Sequence, residues 1–451
     1  MPTISIIKKT QLQETNRLDA EYYQPKHLET EKKLCKLNSR ELGKIAFVTD
    51  GEHGSPIFDE SSGIIYLSAQ NVKDNFFDLS DVHHISVNIH KKNKRSELKE
   101  GNIILSIVGT IGNAAVVSKD MLPGNTDRHV ATIIIEDRRI SPHYVSTFLN
   151  SKYGKCQSKR LSAGNVQPLL NLGNVRKIMV PILKCEQDVE NLRIEAIEML
   201  KNSQKLYEEA ENLLLEELGL KDFKPKYDLS YIANLCRTDT VHRIDAEYFQ
   251  PTYYELIEYL NANFTLKPLG KLLFDFKKGI EVGSENYQEE GKPFIRVSNL
   301  SANGFVERDQ KYISEELYEQ LKNKHEPRVG DLLLTKDATP GIAYVTKEPF
   351  YGIIASGILR LTIKENKINK EYLAHCINSI IGKLQIERDV GGSVIKHWMS
   401  EKIKRLQIPV LPKSIQQKIA SLVQQFHEAR KRAKELLEEA KGKVEEAIEK
   451  T

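Results

Sequence analysis

The sequence predicts an α+β fold that is built twice: a mixed α/β globular domain followed by a long helix, then a second copy of both. Three observations predict it. The nonapeptide RLDAEYYQP at 17–25 returns as RIDAEYFQP at 243–251, an offset of 226 residues. Each copy contains short β-branched runs separated by Gly, Asn and Pro, which is typical of strands and turns. Each copy ends in a stretch with apolar residues at heptad spacing.

The duplication extends along both halves of the chain. Matched positions at an offset of 228 residues are Tyr144, Asn150, Gly154, Gln157, Gly164 and Pro181 in the first half, and Tyr372, Asn378, Gly382, Gln385, Gly392 and Pro409 in the second. We therefore expect globular domains at 1–183 and 223–411, and helical regions at 184–222 and 412–451.

Within each copy the predicted elements follow one order. An opening helix follows the DAEY motif. Strands are predicted at 64–68, 102–108, 114–117 and 131–135, and at 294–297, 331–335, 343–346 and 358–363. Helices follow at 142–150 and 370–378, and closing strands at 178–181 and 406–409. In the motif, Asp19 and Asp245 are predicted to cap the helix. The alternative, an acid pair with Glu21 or Glu247, is less favoured.

Two long helices show a narrow heptad seam. The seams are Leu192, Ala196, Met199, Ser203, Leu206, Ala210 and Leu213, and Ile415, Ile419, Leu422, Phe426, Ala429, Ala433, Leu436 and Ala440. The charged residues between them, Arg193 included, are predicted to face solvent. We expect the helices to pair as an antiparallel coiled coil, which places the two domains at its opposite ends. About 30 residues at 1.5 Å give roughly 45 Å. The alternative is two separate helices, each packed on its own domain.

Composition restricts the class of protein only loosely. The 451 residues contain 66 Lys and Arg against 62 Asp and Glu, so the net charge of +4 permits a polyanionic partner without requiring one. Five scattered cysteines without CxxC spacing favour reduced thiols over a disulfide framework or a zinc ribbon. No signal-peptide pattern and no membrane-spanning apolar run is present, so we expect a cytoplasmic protein without membrane contact.

No motif for catalysis, a cofactor or a metal is evident. The sequence lacks GxxxxGK[ST], HExxH, a full dinucleotide fingerprint and the Asn/Asp-Pro-Pro-Tyr/Phe tetrapeptide of amino-methyltransferases. His83, His84 and His90 are predicted to be surface polar residues, because adjacent residues of a strand point to opposite faces. We therefore predict no catalytic residue, no cofactor and no metal site.

Basic and polar loops are the candidates for contact with DNA. They are Lys91, Lys92, Lys94, Arg95, Ser106, Thr110, Asn165 and Gln167 in the first copy, and Lys277, Lys278, Thr335, Lys336, Ser393, Lys396 and His397 in the second. Cations, hydroxyls and amides at glycine-lined tips can approach phosphates and base edges. For each loop alone a solvated surface is an equal alternative. The DNA hypothesis is favoured because the scaffold matches between the copies while these loops differ.

Together these features resemble the specificity subunits of type I restriction-modification systems. The resemblance rests on the two DAEY repeats, the segments GNIILSIVGTIG and GDLLLTKDATPG, the closing segments RKIMVPI and KRLQIPVLP, and the two heptad helices. It implies that each domain is a target-recognition domain for one half of a split double-stranded DNA sequence, with the helices setting the gap. It also implies partners: two methyltransferase (modification) subunits that use S-adenosylmethionine, and restriction subunits that translocate DNA with ATP. The family's DNA contacts lie in variable loops, so no single residue is transferred.

Two other classes of function compete with this one. A scaffold or adaptor would use the coiled coil to hold two protein-binding modules. A fused methyltransferase-recognition enzyme would need a cofactor fold, but the repeat occupies both halves of the chain and leaves no room for one.

Overall fold

The computed structural model describes residues 4–10, 12, 17–54, 56–79, 82–164, 168–241, 243–306, 309–364, 366–390 and 396–450. They form two compact units. Unit 1 comprises Met1–Leu200 and Lys431–Thr451, and unit 2 comprises Lys201–Arg430. The division falls inside both long helices, so each unit contains one globular domain and part of each helix.

Unit 1 is built on a four-stranded antiparallel sheet. Its strands are β1 (Ser39–Glu41), β2 (Ala46–Asp50), β3 (Ile65–Leu67), β4 (His83–His84), β5 (Ile103–Ser106), β6 (Ala114–Val116), β7 (Gly124–Thr126), β8 (Val130–Ile135) and β9 (Met179–Pro181). Its helices are α1 (Pro25–Cys35), α2 (Val87–Lys92), α3 (Pro142–Asn150), α4 (Lys152–Leu161), α5 (Leu172–Arg176) and the first part of α6 (Glu186–Glu217). The main sheet has the order β2-β8-β5-β6, a smaller sheet has the order β4-β3-β7, and β1 pairs with β9.

Unit 2 repeats this plan. Its strands are β10 (Leu266–Pro268), β11 (Leu273–Lys278), β12 (Lys292–Ile295), β13 (Leu300–Ser301), β14 (Gly304–Phe305), β15 (Lys311–Ile313), β16 (Leu332–Thr335), β17 (Ala343–Val345), β18 (Ile353–Ile354), β19 (Ile358–Ile363) and β20 (Gln407–Pro409). Its helices are α7 (Leu235–Val241), α8 (Pro251–Asn263), α9 (Leu269–Leu272), α10 (Glu315–His325), α11 (Lys370–Asn378), α12 (Ile380–Asp389), α13 (Ser400–Arg405) and the first part of α14 (Lys413–Glu449). The sheet orders β11-β19-β16-β17 and β15-β12-β18 match those of unit 1. The predicted duplication of an α+β domain is therefore confirmed.

The residues that match between the halves make the same contacts in each unit. The hydroxyl of Tyr144 donates to the carbonyl of Pro181, and that of Tyr372 donates to the carbonyl of Pro409 at 2.8 Å. The matched amides also act alike: Gln157 bonds to the backbone of Met179, Gln385 to Gln407, Asn150 to Ala114 and Asn378 to Ala343. These buried or half-buried polar groups join the closing strand and the main sheet to the helices, which explains why the two copies share them.

The aspartates of the DAEY motif stand at the N-cap positions of the 3-10 helices Ala20–Tyr23 and Ala246–Phe249, but the predicted capping bond from the side chain is absent. Neither Asp19 nor Asp245 accepts a side-chain hydrogen bond from the following turn. Each carboxylate instead binds the arginine two residues earlier in a bidentate pair. Arg17 Nε lies 2.8 Å from Asp19 Oδ1, and Arg243 Nε lies 2.7 Å from Asp245 Oδ1. The planar guanidinium fits both carboxylate oxygens, and it lowers the pKa of each aspartate.

The two long helices pack against each other in opposite directions. In unit 1, Ala196 of α6 shares an apolar cluster with Ala433 and Leu436 of α14. In unit 2, the rings of Tyr207 and Phe426 lie 5.1 Å apart. The early residues of α6 therefore meet the late residues of α14, and the later residues of α6 meet the earlier ones of α14. This confirms the predicted antiparallel pairing.

The buried face of α6 is wider than the predicted seam. Ala196, Ser203 and Ala210 are buried as predicted, and Leu192, Met199, Leu206 and Leu213 are half-buried, but Val189, Arg193 and Leu214 are also buried. Arg193 was predicted to face solvent, yet it is 1% exposed. Its Nη1 donates to the carbonyl of Asn75 at 2.6 Å, and burial lowers its pKa to about 10. The buried face of α6 differs from the predicted seam because α6 packs on the globular domain of unit 1 as well as on α14.

Two half-buried histidines should make the protein less stable in mild acid. Burial lowers the pKa of His143 to about 4 and that of His427 to about 3. Unfolded histidine has a pKa of about 6.5, so below that pH the unfolded chain binds protons that the folded chain does not. We expect each histidine to cost about 1–2 kcal/mol of unfolding free energy at pH 5 relative to pH 7. Urea unfolding at both pH values measures this, and the change should be smaller in His427→Gln. An equal pH dependence in that variant would contradict the assignment.

Two further features concern possible ligands and membranes. Over the described ranges, no group of three or more His, Cys, Asp or Glu side chains is arranged to hold a metal ion. Within the same ranges, none of the helices combines the length and the apolar character needed to cross a bilayer.

Candidate nucleic-acid interface

The turn after β5 in unit 1 and the corresponding turn after β16 in unit 2 are each closed by a buried hydroxyl. Ser106 and Thr335 are 0% exposed. The hydroxyl of Ser106 donates to the carbonyl of Thr110, and that of Thr335 donates to the carbonyl of Thr339 at 2.6 Å. Both hydroxyls are thus buried and bonded within the protein, and the predicted contact of Ser106 and Thr335 with DNA stays a prediction. Thr110 lies exposed at the tip of its turn, as the prediction requires.

In unit 1 this turn lies beside the second predicted loop. Val108 forms a β-bridge with Leu169, and the amide of Leu170 donates to the carbonyl of Ile107 at 2.9 Å. Leu169 also bridges Ala163, so the described residues on both sides of the loop lie beside the turn that carries Thr110. Asn165 and Gln167 themselves lie outside the described residues.

In unit 2 the corresponding turn brings three predicted residues together. Asp337 forms a β-bridge with His397, and its Oδ1 lies 2.8 Å from His397 Nδ1. Its Oδ2 lies 2.6 Å from Lys336 Nζ. The carbonyl of Lys396 accepts from the amide of Ala338 at 2.9 Å. His397 and Lys396 are exposed, whereas the side chain of Lys336 is 13% exposed and paired with Asp337, which leaves it less available to a phosphate. Ser393 lies outside the described residues.

The basic cluster of unit 1 contains four exposed cations, of which one forms an ion pair with a described residue. Helix α2 is capped by Ser86, whose hydroxyl accepts from the amide of Ile89. The three exposed cations are Lys91, Lys92 and Lys94, and none forms an ion pair with a described carboxylate. Arg95 is also exposed, but its Nη2 lies 3.1 Å from both Asp50 Oδ1 and the carbonyl of Gly51. The three lysines are free to bind phosphate, while Arg95 holds the end of β2.

The basic pair of unit 2 lies at the end of β11. Lys277 and Lys278 are both exposed. Lys277 Nζ is 2.9 Å from Asp275 Oδ2, whereas Lys278 has no ion pair among the described residues. Lys278 is the last residue of β11, and Asp50 is the last residue of the corresponding strand β2 in unit 1. A cation in unit 2 therefore occupies the position of an anion in unit 1.

Unit 1 also contains an open cleft of about 370 Å³ that sequence reasoning missed. It is lined by side chains that include Phe58, Tyr66, Gln70, His83, Asp127 and His129. The ring of Phe58, 46% exposed, stacks on His83 at 4.1 Å. Burial and the nearby Asp127 raise the pKa of Tyr66 to about 12. No sequence signal could have found this site, because its residues come from separate segments that only the sheet β4-β3-β7 brings together.

The two units differ in side chains at corresponding places of the same scaffold. In unit 1, β7 leads into Asp127, Arg128 and His129, and Asp127 forms a parallel bridge with Glu52. In unit 2, β18 leads into Ala355, Ser356 and Gly357, and Ala355 forms a parallel bridge with Ile280. The backbone pairing is thus preserved while the charged and aromatic groups are not. Such a pair of surfaces suits recognition of two different sequences.

Comparisons with known proteins agree with the predicted resemblance. Residues 261–441 match the family model described as the type I restriction modification DNA specificity domain. The type I restriction enzyme EcoBI specificity subunit of Escherichia coli is 29% identical over 135 residues, which are 30% of this chain and 28% of that protein. The resemblance to specificity subunits is therefore confirmed, although the matched segment spans less than a third of that relative.

Solved structures of similar proteins align along most of the chain. The S subunit of a type I restriction-modification system from M. genitalium aligns with 91% of this chain and 94% of its own, at 13% identity and a TM-score of 0.39. The HsdS subunit from Thermoanaerobacter tengcongensis aligns with 91% of this chain and 95% of its own, at 15% identity and a TM-score of 0.28.

Proposed function

We propose, from the type I restriction modification DNA specificity domain at residues 261–441, that this chain is the DNA-recognition subunit of a type I restriction-modification complex. The observation that carries the proposal is the pair of identical sheet orders with different side chains at corresponding positions. Residues 1–183 and 223–411 are assigned as target-recognition domains, one for each half of a split double-stranded target. Residues 184–222 and 412–451 are the helical regions that set the gap between the half-sites.

The chemistry of the complex is assigned to partner subunits. Two modification subunits transfer the methyl group of S-adenosylmethionine, and restriction subunits translocate and cleave DNA with ATP. The chain itself supplies sequence recognition and carries neither reaction. Titration of the purified chain with S-adenosylmethionine in a calorimeter should therefore detect no stoichiometric binding. Saturable binding at one site per chain would contradict this division of labour.

A salt-dependent mobility shift tests the function directly. The purified chain, alone and with its modification subunit, is mixed with a pool of random duplexes, and the bound duplexes are sequenced. Recovery of a bipartite sequence, with an affinity that falls as salt rises, supports the proposal. Salt-dependent binding is expected because phosphate contacts release counterions. Failure to bind DNA in either state would overturn it and would favour the scaffold alternative.

Neutralising the exposed lysines of unit 1 should weaken binding without changing specificity. In the triple variant Lys91→Gln, Lys92→Gln, Lys94→Gln, we expect the slope of log affinity against log salt to fall by up to about 0.9 per lost phosphate contact. The base preference should stay the same, because phosphate contacts position a protein without specifying sequence.

The control for this variant removes the same charge elsewhere on unit 1. Lys26, Lys32 and Lys36, which are exposed on or next to α1, are replaced by Gln. The salt slope of this control should remain that of the unmodified chain. Equal slopes in both triple variants, or a changed base preference in the first, would contradict the assignment of Lys91, Lys92 and Lys94.

A further inference from the structure

The imidazole of His129 is held in one orientation beside the cleft of unit 1. Its Nδ1 lies 2.7 Å from Asp127 Oδ2, and the backbone amide of His129 donates to Asp127 Oδ1 at 2.8 Å. The side chain of Asp127 is 14% exposed and that of His129 is 41% exposed. Because Nδ1–H donates to the carboxylate, the neutral ring has its lone pair at Nε2. A half-exposed imidazole so fixed is a hydrogen-bond acceptor at Nε2.

A second polar group lines the same cleft on a short, rigid turn. Gln70 lies in the 3-10 helix Ala69–Asn71, which begins after Ser68 at the end of β3. Asn71, 3% exposed, accepts from the amide of Ser68 at 3.0 Å and donates to the carbonyl of Asp78 at 3.2 Å. Gln70 is exposed, and its side-chain amide forms no hydrogen bond with the described residues. A free carboxamide on a fixed turn can bond in a bidentate way to one base edge.

We propose that Gln70 and His129 determine the base preference of unit 1, with Asp127 as the residue that positions His129. This inference rests on the proposed function and assigns residues to it. A glutamine amide pairs with N6 and N7 of adenine in the major groove. An acceptor at Nε2 of His129 pairs with an exocyclic amino group, which adenine and cytosine present there. Unit 1 therefore recognises an adenine through Gln70 and an adenine or cytosine through His129.

The corresponding residues of unit 2 lack these groups. Gly357 corresponds to His129, Ala355 to Asp127 and Ser298 to Gln70, since each follows the same strand or lies in the same short helix. Unit 2 therefore has neither the imidazole with its carboxylate nor the carboxamide at this place. The two units differ in base preference for this reason, while their sheets and turns stay alike.

The experiment uses the full chain with its modification subunit and a pool of random duplexes. In Gln70→Ala and in His129→Ala, discrimination at one base pair of one half-site should fall about 10- to 100-fold, and the other half-site should not change. Asp127→Asn gives a sharper result. Its side-chain NH2 donates to Nδ1, so the proton of the ring moves to Nε2. The preference at that base pair should then change from an exocyclic amino group, on adenine or cytosine, to an exocyclic oxygen, O6 of guanine or O4 of thymine.

Matched controls separate these effects from general damage. His84 also binds a carboxylate, with Nδ1 at 2.7 Å from Glu60 Oε2, but it does not line the cleft. His84→Ala, and Gln204→Ala on α6, should leave the base preference at both half-sites unchanged. Unaltered preference at every base pair in Gln70→Ala, His129→Ala and Asp127→Asn, with a sequence-specific parent chain, overturns the inference alone. A parent chain without sequence preference overturns the proposed function and the inference together.

Discussion

Removal of seven residues from each long helix should shorten the gap between the recognised half-sites by about three base pairs. The segments to delete are 198–204 of α6 and 428–434 of α14, which lie between the contacts of Ala196 with Ala433 and of Tyr207 with Phe426. Seven residues complete nearly two turns, with an error of only about 20°, so both helices keep their buried faces in phase. The helix pair loses about 10 Å of rise, and each base pair contributes about 3.4 Å of DNA length.

Selection of bound duplexes, with the modification subunit present, measures the new gap. We expect the two half-site sequences to be unchanged, because neither deletion removes a residue of a globular domain. A variant with the seven residues removed from α6 alone serves as the control, since its helices can no longer pair in register and it should bind no split target. Retention of the original gap by the double deletion would rule out the proposal that the helices set the spacing.

A carboxylate at Ala196 should destabilise the helix pair by about 3–5 kcal/mol, the cost of an unpaired buried charge. Ala196 is 0% exposed and packs in unit 1 with Ala433, Leu436 and Leu437. In Ala196→Glu the side chain has no space within this apolar cluster, and the buried Arg193 one turn earlier already donates to the carbonyl of Asn75. We expect a lower urea midpoint of unfolding and loss of binding to the split target.

The neighbouring position supplies the control. Ile194 lies two residues earlier on the same helix and is 45% exposed, so Ile194→Glu adds the same charge in contact with water. Its unfolding free energy should change by less than about 0.5 kcal/mol, as is usual for surface substitutions. Similar losses in both variants would mean that charge on α6, rather than burial at Ala196, causes the effect.

Much of the fold could be predicted because its signals are local. The helices Pro142–Asn150 and Lys370–Asn378 occur at the predicted bounds, since Ser141 and Asn369 cap them with side-chain oxygens. The central strands β5, β16 and β19 lie within the predicted segments, and β8 begins one residue before its own. The candidate site was less predictable. Ser106 and Thr335 have the side chains of a DNA contact, but their hydroxyls close turns inside the protein.

The sequence by itself determined the duplication and the two long heptad helices, because repeated motifs and heptad spacing are properties of the chain, whereas heptad spacing alone leaves the direction of pairing open. Only the tertiary structure decided which face of α6 is buried, since Arg193 and Asn75 are 118 residues apart and bond across the packed domain. It also decided the cleft that Gln70, Asp127 and His129 line. These residues come from separate segments and become neighbours only through sheet pairing, so no local sequence pattern shows that they lie together.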